Sequence, residues 1–224
     1  MTQGMTQAAL LFDLDGTLID SDPLHAQIFV RLFAERGLEI DEAFYLANMH
    51  GRHNTEIFQE HLPDEDPYAM HLLKEAAFRD SLDASVPPMP GAVDLIARAR
   101  AAGWAVAVVT NAPRLNADAS LAAIGLDQAF DIVIVGEECT KGKPDPAPYL
   151  TALETLNVSA GHAIAFEDSP SGIASARAAK LYTVGIRSSL TRTQLSNAGA
   201  HASLQNFNDP AIGPIVDRLE GATL

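Results

Sequence analysis

The sequence has little cysteine, little positive charge and no long apolar run. Its single cysteine, Cys139, has no second thiol in the chain to pair with, so an internal disulfide is excluded and a reducing compartment is expected. No apolar stretch approaches the roughly 20 residues of a membrane-spanning helix. The N-terminal MTQGMTQ also lacks the basic and apolar regions of a signal peptide. These absences predict a soluble, cytoplasmic protein with no membrane partner.

Positive charge is scarce, because 15 Lys and Arg stand against 29 Asp and Glu, which gives a formal net charge of −14. Such a surface disfavours nucleic acids as partners, since these are bound by basic stripes. A small anionic substrate is not excluded, because a pocket needs only local positive charge and a bound metal ion supplies it. The 224 residues, 47% of them apolar, suffice to bury a core without disulfides, and we expect a monomer.

Short apolar runs at regular spacing predict a parallel sheet. Each run is continuous, which is typical of strands buried on both faces, and the five runs are 8–12, 104–109, 131–135, 162–166 and 181–186. Helical patterns lie between them at 92–102, 115–124, 146–156 and 172–179. Strands that alternate with helices predict an α/β fold, with a doubly wound, Rossmann-like sheet and helices on both faces.

The segment 18–87 breaks this alternation. It contains helical patterns but no convincing strand, begins directly after the first predicted strand and ends at the proline-rich 86–91. We therefore predict an inserted helical cap domain at 18–87, with 1–17 and 88–224 forming the catalytic core. A helical insert on a stiff connection is suited to closing over an active site.

Two aspartates follow the first predicted strand. Asp13 and Asp15 flank Leu14, and because side chains alternate along extended backbone, both carboxylates point the same way. Gly16 then permits a tight turn. Two carboxylates that face one pocket repel each other and need a shared cation or proton. The same pattern, taken alone, is also that of an acidic turn after a strand.

Polar residues after further strands favour the catalytic interpretation. Thr110 and Asn111 end the second strand, Glu167 and Asp168 end the fourth, and Lys143 lies in the loop after the third. Singly these residues are typical of a helix cap or an exposed surface. The carboxyl ends of parallel strands meet at one edge of a sheet, however. Carboxylates suit Mg²⁺, and lysine, hydroxyl and amide groups suit phosphate oxygens, so the combination predicts a magnesium-dependent phosphate site.

These motifs resemble the four motifs of the haloacid dehalogenase superfamily in order and spacing. The motifs are Asp13-Leu14-Asp15-Gly16-Thr17-Leu18, Thr110, Gly142-Lys143-Pro144 and Glu167-Asp168-Ser169. The helical insert resembles the cap of the β-phosphoglucomutase-like branch of that superfamily. The resemblance covers about 8–201, and the first motif is its most specific part.

The resemblance implies a phosphoryl transfer in two steps. Asp13 would attack phosphorus and form an aspartyl-phosphate. Asp15 would act as the general acid and then as the general base. Thr110 and Lys143 would hold the phosphoryl oxygens, with Asn111 beside them as a substrate contact.

The resemblance also implies a magnesium site and its ligands. Mg²⁺ would be bound by Asp13, by the backbone carbonyl of Asp15 and by Asp168. Glu167 would assist directly or through a water molecule.

Four residues of the predicted cap are candidate substrate contacts by the same resemblance. His25 occupies a position where the branch often carries a histidine near the substrate. Arg52 and Asn54 fall in a loop that faces the substrate, but the mutase carries an arginine at the position of Asn54. Lys74 resembles a cap lysine that contacts phosphate. Each of the four is also typical of an ordinary polar surface on a helical domain.

Two functions stay open, a phosphatase for a small phosphorylated metabolite and a β-phosphoglucomutase-like phosphohexomutase. They share the catalytic residues and differ in whether water takes the phosphoryl group. A 2-haloacid dehalogenase would not need Asp15, and a phosphonoacetaldehyde hydrolase needs a cap lysine far from the position of Lys74. A receiver-like phospho-acceptor domain would lack both the helical insert and the D-x-D-G-T motif. The altered cap loop favours a phosphatase, with a sugar phosphate as its substrate.

Overall fold

The computed structural model describes residues 8–49, 52–83 and 86–220, the side chain of Glu220 excepted. The chain divides into two compact units, one made of Met1–Asp20 with Ala84–Leu224 and the other of Ser21–Asp83. The smaller unit lies within the predicted insert 18–87. Its action as a cap stays a prediction.

The larger unit contains a six-stranded, all-parallel sheet, and its order β3-β2-β1-β4-β5-β6 confirms the predicted α/β fold. The strands are β1 (Ala9–Phe12), β2 (Ala105–Thr110), β3 (Ile132–Val135), β4 (Ala163–Glu167), β5 (Tyr182–Ile186) and β6 (Ala202–Leu204). The first five confirm the predicted strands. The sixth was not predicted, because three residues with a central serine give no apolar run.

Ten α-helices are found in the described ranges, four in the smaller unit and six in the larger one. Those of the smaller unit are α1 (Asp22–Ala34), α2 (Glu42–Asn48), α3 (Asn54–His61) and α4 (Pro67–Ser81). Those of the larger unit are α5 (Ala92–Ala101), α6 (Arg114–Ala123), α7 (Ala147–Leu156), α8 (Pro170–Ala178), α9 (Arg192–Asn197) and α10 (Ile212–Glu220). None of these helices is both long and apolar enough to cross a membrane.

The strand order reverses between β1 and β4, which places the site. The chain proceeds from β1 through β2 to β3 on one side, and then returns to lay β4, β5 and β6 on the other side of β1. Crossovers between parallel strands are right-handed, so this reversal opens a crevice at the carboxyl ends of β1 and β4. Phe12 is paired in register with Phe166, so Asp13 and Glu167 stand level as the next residues of the two strands.

Burial of the central strands explains their continuous apolar pattern. All four residues of β1 and all five of β4 are buried. The rings of Phe12 and Phe166 stack with their centroids 5.1 Å apart, and Phe207 packs edge-on against both. A core packed beneath the last residues of β1 and β4 fixes the backbone from which the acidic side chains start.

The smaller unit has an aromatic core of its own. Phe29 and Phe33 of α1 pack against Phe58 of α3, with ring centroids 5.4 and 6.0 Å from it, and Phe78 of α4 is buried in the same cluster. Asp66 caps α4 by accepting hydrogen bonds from two backbone N–H groups of its first turn. The helices of the smaller unit are therefore packed around an apolar core within that unit.

Candidate active site

Three charged side chains meet at the carboxyl ends of β1 and β4. Lys143 Nζ lies 2.6 Å from Asp13 Oδ1 and 2.6 Å from Glu167 Oε1, and all three residues are buried. The same nitrogen donates to the backbone carbonyl of Val109, at 2.6 Å. An ammonium group has three protons, so each N–H bond of Lys143 has an acceptor. The sequence prediction that Asp13, Lys143 and Glu167 converge is matched by this arrangement.

Asn111 fastens the loop that carries Lys143. Its Oδ1 accepts the backbone N–H of Lys143 at 2.9 Å, and its Nδ2 donates to the carbonyl of the same residue at 2.9 Å. Gly142 lies against this amide, and a Cβ added there would approach Asn111 Oδ1 to 2.9 Å. Both ends of the Asn111 amide are thus hydrogen-bonded to the backbone of Lys143. Its contact with substrate stays a prediction.

Tyr149 is a site residue that the sequence prediction missed. Its Oη donates to Glu167 Oε1 at 2.7 Å from the buried face of α7. Glu167 Oε1 therefore accepts from both Tyr149 and Lys143. Gly172 of α8 lies so close to the Glu167 carboxylate that an added Cβ would overlap it. The available signal was a lone hydroxyl on an otherwise apolar helix face, six positions after Lys143.

Asp168 completes an acidic cluster. Asp13, Glu167 and Asp168 each offer a carboxylate oxygen, and the three oxygens lie within 4.8 Å of one another. Gly16 approaches this cluster with φ = 75°, and an added Cβ would collide with the carboxylate of Asp168. Glycine is required there both by the left-handed backbone and by the space. Asp15 lies one residue earlier in the same turn and is partly exposed.

The cluster holds more negative charge than Lys143 balances. Burial raises the pKa of Asp13 to about 8, with the charges of Glu167 and Asp15 acting in the same direction and Lys143 against it. Burial alone would lower the pKa of Lys143, but Asp13 and Glu167 together raise it. Lys143 therefore stays charged, and the raised pKa of Asp13 comes first from its burial, with the neighbouring acids adding to it.

The donor set fits a divalent cation. Carboxylate oxygens are the ligands that Mg²⁺ prefers, and an added positive charge would stabilise the ionised form of Asp13. The Oγ of Ser188, at 3.2 Å from the position of a Cβ on Gly16, is buried and has no hydrogen-bond partner among the described residues. The hydroxyl of Thr17 is buried and unpartnered in the same sense. A free Ser188 hydroxyl close to Gly16, the residue that also approaches the Asp168 carboxylate, suits the water shell that magnesium retains.

Thr110 ends β2, the strand that pairs with β1. The residue is buried, and its Oγ1 accepts the backbone N–H of Ala112 at 2.9 Å. A hydroxyl that accepts in this way keeps its own proton for another acceptor. Its predicted contact with a phosphoryl oxygen stays a prediction.

Two of the predicted cap residues meet within the smaller unit. Asn54 Nδ2 donates to Glu75 Oε1 at 2.6 Å, and Lys74 Nζ binds the same oxygen at 3.0 Å. Lys74 is buried, with its nitrogen 5.9 and 5.5 Å from the ring centroids of Phe29 and Phe78. The lysine is therefore tied to an acid and to aromatic rings inside its own unit.

The other two predicted cap residues have separate surroundings. Arg52 is paired with Glu60 at 2.7 Å and also donates to the carbonyl of Asn48. His25 stacks on Phe78, with the ring centroids 4.3 Å apart. Contacts of His25, Arg52, Asn54 and Lys74 with substrate stay predictions.

Comparison with known proteins gives a consistent family assignment. Residues 10–186 match the family model described as haloacid dehalogenase-like hydrolase. The chain is 35% identical over 215 residues to the validoxylamine A 7′-phosphate phosphatase of Streptomyces hygroscopicus subsp. limoneus, an alignment that covers 91% of this chain and 97% of that protein.

Solved structures with the same fold include a HAD hydrolase, family IA, variant 3, from Entamoeba histolytica. It superposes with a TM-score of 0.84 at 32% identity and covers 95% of this chain and 99% of its own. A CbbY mutant from Rhodobacter sphaeroides in complex with xylulose-(1,5)bisphosphate gives a TM-score of 0.78 at 30% identity, covering 89% of this chain and 94% of that one.

Proposed function

The chain belongs to the haloacid dehalogenase-like hydrolase family, and from that premise we propose that it is a Mg²⁺-dependent phosphatase. It hydrolyses the monoester of a small phosphorylated metabolite, with a sugar phosphate as the favoured class, through an aspartyl-phosphate on Asp13. The observation that carries the proposal is the buried contact between Lys143 Nζ and Asp13 Oδ1 at 2.6 Å. The phosphatase from Streptomyces and the sugar bisphosphate bound to the CbbY mutant support the substrate class.

Asp13 is proposed as the nucleophile because one of its two carboxylate oxygens, Oδ1, is bound by Lys143. Lys143 binds Oδ1, so Oδ2 is the oxygen that attacks phosphorus. A bond forms between Asp13 and phosphorus while the bond from phosphorus to the leaving oxygen breaks. Asp15, two residues along the turn, gives its proton to that oxygen. Asp15 then takes a proton from the water that cleaves the aspartyl-phosphate, which returns both aspartates to their first state.

Lys143 and the acidic cluster provide the electrostatic part of the mechanism. The charge of Lys143 lowers the repulsion between Asp13 and the incoming phosphate, and the hydroxyl of Thr110 donates to a phosphoryl oxygen. Asp13, Asp168 and the carbonyl of Asp15 would hold Mg²⁺, which supplies positive charge against the carboxylate and the phosphate together. Glu167, whose Oε1 already accepts from Lys143 and Tyr149, would assist through a water molecule.

The phosphatase is preferred to the phosphohexomutase on the chemistry of the smaller unit. A mutase must retain a bisphosphate intermediate, so it needs a second phosphate-binding charge. The mutase has an arginine where this chain has Asn54, and the amide of Asn54 is uncharged and bound to Glu75. With water as the second acceptor, no such charge is needed.

The proposed activity is tested with a panel of phosphomonoesters in Mg²⁺, including several sugar phosphates and β-glucose 1-phosphate. We expect release of inorganic phosphate from at least one sugar phosphate, no release in excess chelator, and restored release when Mg²⁺ is added back. Isomerisation of β-glucose 1-phosphate with no phosphate release from any ester would replace the phosphatase by the mutase. Full activity in chelator would refute the role of the metal.

We also propose that the enzyme acts as a cytoplasmic monomer. The single, partly exposed Cys139 supports a reducing compartment. The formal net charge of −14 supports a partner set limited to small metabolites.

A further inference from the structure

A cavity of about 550 Å³ lies at the edge of the sheet opposite to the acidic cluster. It opens at Ala163 and Tyr182, the first residues of β4 and β5, whereas Glu167 is the last residue of β4. Four steps along β4 at about 3.3 Å each separate the two edges by roughly 13 Å. Ligands of open α/β sheets bind at the carboxyl ends of the strands, so this cavity is not part of the candidate active site.

The side chains around this cavity form a concentration of positive charge on an acidic protein. Arg177, Lys180 and Arg218 line it together with His201, and we call it the basic cavity. No Asp or Glu is among its described lining residues. None of the three cations forms an ion pair with a carboxylate in the described part of the chain, although the chain as a whole carries −14. The three charges are therefore available to a ligand.

Arg177 and His201 are in contact in the basic cavity. His201 Nδ1 accepts the backbone N–H of Thr183 at 2.9 Å, which places the proton of the neutral imidazole on Nε2. Nε2 contacts Nη1 of Arg177, which is also a donor. Burial, and then the charge of Arg177, lower the pKa of His201, so the ring stays neutral. Arg177 therefore lies beside a neutral ring and not beside a carboxylate, and its other guanidinium N–H groups can donate to an anionic oxygen.

Stacking holds the remaining groups in position. The ring of Tyr182 stacks on His201 with the centroids 4.6 Å apart and the planes 11° apart. The guanidinium of Arg218 lies over the same Tyr182 ring, 4.2 Å from its centroid. Arg218 and His201 are thus fixed by one aromatic ring before any ligand arrives, which lowers the entropy lost on binding.

Lys180 occupies a backbone position that favours glycine. It follows the C-terminal end of α8 with φ = 64°, in the left-handed region. Helices usually place glycine at that point, because a side chain is strained there. A lysine in this conformation therefore carries a conformational cost, and it adds the third positive charge to the basic cavity.

We propose that the basic cavity binds the phosphate group of a small ligand, either free phosphate or a phosphorylated metabolite, at a site separate from the candidate active site. Three cations around one cavity that no carboxylate lines in the described residues match a dianion with several oxygens better than a single carboxylate. The volume lies within the range of small-molecule sites. The overall negative charge opposes nucleic acid as the ligand.

The test is a titration of the ¹⁵N-labelled full chain with inorganic phosphate, followed by backbone amide NMR in excess chelator. Without divalent cations the acidic cluster repels phosphate, so binding at the basic cavity is observed alone. We expect saturable shifts at the amides of Gly161 and Tyr182, and no saturable shift at that of Gly16. Absence of saturable shifts at Gly161 and Tyr182 overturns the proposal.

A second arm uses glucose 6-phosphate, with a ³¹P spectrum to verify that the ester stays intact. Tighter binding of the ester than of phosphate identifies a phosphorylated metabolite as the ligand class, and tighter binding of phosphate identifies the free ion. If neither binds, the proposal fails.

Lys180→Gly and Arg218→Gln separate binding from folding. Each should weaken phosphate binding about tenfold, which corresponds to about 1.4 kcal/mol. Lys180→Gly should not lower the melting temperature, because glycine is favoured at φ = 64°. Arg192→Gln removes one exposed positive charge outside the cavity and is the matched control, with unchanged binding expected. Equal affinity in wild type, Lys180→Gly and Arg218→Gln would contradict the assignment.

Discussion

Lys143 Nζ lies 2.6 Å from Asp13 Oδ1, although the two residues are 130 positions apart in the sequence. The contact joins the turn after β1 to the loop after β3, and it is closed by Glu167 from the end of β4. The free energy that this contact contributes depends on its burial, because water at an exposed site would screen the attraction between lysine and aspartate. The same contact serves stability and, in our proposal, catalysis.

Replacement of Lys143 by methionine should lower both the stability of the fold and the catalytic activity. It leaves Asp13 and Glu167 buried without a counter-charge, and loss of one partner of a buried ion pair costs about 3–5 kcal/mol. We expect a drop of that size in the free energy of unfolding, measured by urea denaturation, and loss of phosphate release. Lys141→Met, two residues away, is the control, because the side chain of Lys141 is 75% exposed. Equal stability of the two variants would show that the buried contact is weaker than we infer.

Tyr149→Phe tests the hydrogen bond that the sequence did not reveal. The variant keeps the ring and removes the Oη that donates to Glu167 at 2.7 Å. A hydrogen bond to a charged group is worth about 1.5–3 kcal/mol, so unfolding should become easier by about that amount. Turnover should fall as well, since Glu167 loses one of its two donors on Oε1. Tyr68→Phe, at a tyrosine that is 64% exposed, should change neither property. If Tyr149→Phe had the same free energy of unfolding as the wild type, the role of Tyr149 as a site residue bound to Glu167 would be contradicted.

Gly172→Ala probes the space beside Glu167. An added Cβ would overlap the carboxylate, so the acid or helix α8 must shift, at a cost of about 1–3 kcal/mol. Gly213→Ala is the contrast, because nothing lies within 4 Å of its added Cβ and the residue is in helix α10. Alanine meets no neighbouring atom there, but it precedes Pro214, so no gain in stability is expected and the change should stay within about 0.5 kcal/mol. Gly172→Ala should therefore lower the melting temperature clearly more than Gly213→Ala, and equal melting temperatures would contradict the close packing at Gly172.

Asn111→Ala distinguishes a positioning residue from a substrate contact. Both ends of the Asn111 amide bind the backbone of Lys143, so its loss should displace the lysine rather than open the pocket. A misplacement of about 1 Å costs up to about a hundredfold in rate. We expect kcat to fall with KM nearly unchanged. A rise in KM at constant kcat would instead support the contact with substrate that the sequence predicted.

The sequence was sufficient for the parts of the site that local rules control. Asp13 follows a buried strand, and the polar ends of parallel strands gather at one edge, so its convergence with Glu167 follows from pattern alone. The family resemblance added the order of attack and proton transfer. The five predicted strands and the four helices between them formed as expected because their apolar periodicity agrees with their burial.

Features that depend on tertiary packing were not predictable in this way. Tyr149 reaches Glu167 because of the way α7 packs, and the pattern of α7 shows a hydroxyl on an apolar face without showing its partner. The hydrogen bonds from the Asn111 amide to the backbone of Lys143 join residues 32 positions apart and depend on the geometry of the loop. The strand Ala202–Leu204 is too short to have a pattern. The basic cavity likewise combines Arg177, Tyr182 and Arg218 from separate elements.

The most direct test of the proposed mechanism is to locate the phosphoryl group on the enzyme. The protein is mixed with Mg²⁺ and a hydrolysed sugar phosphate, quenched in acid during turnover, and its peptides are sequenced by mass spectrometry. We expect a phosphorylated peptide with the added group on Asp13, and no such peptide and no turnover from a folded Asp13→Asn variant. Phosphate release at the wild-type rate by Asp13→Asn, or a phosphoryl group on another residue, would contradict the proposed mechanism.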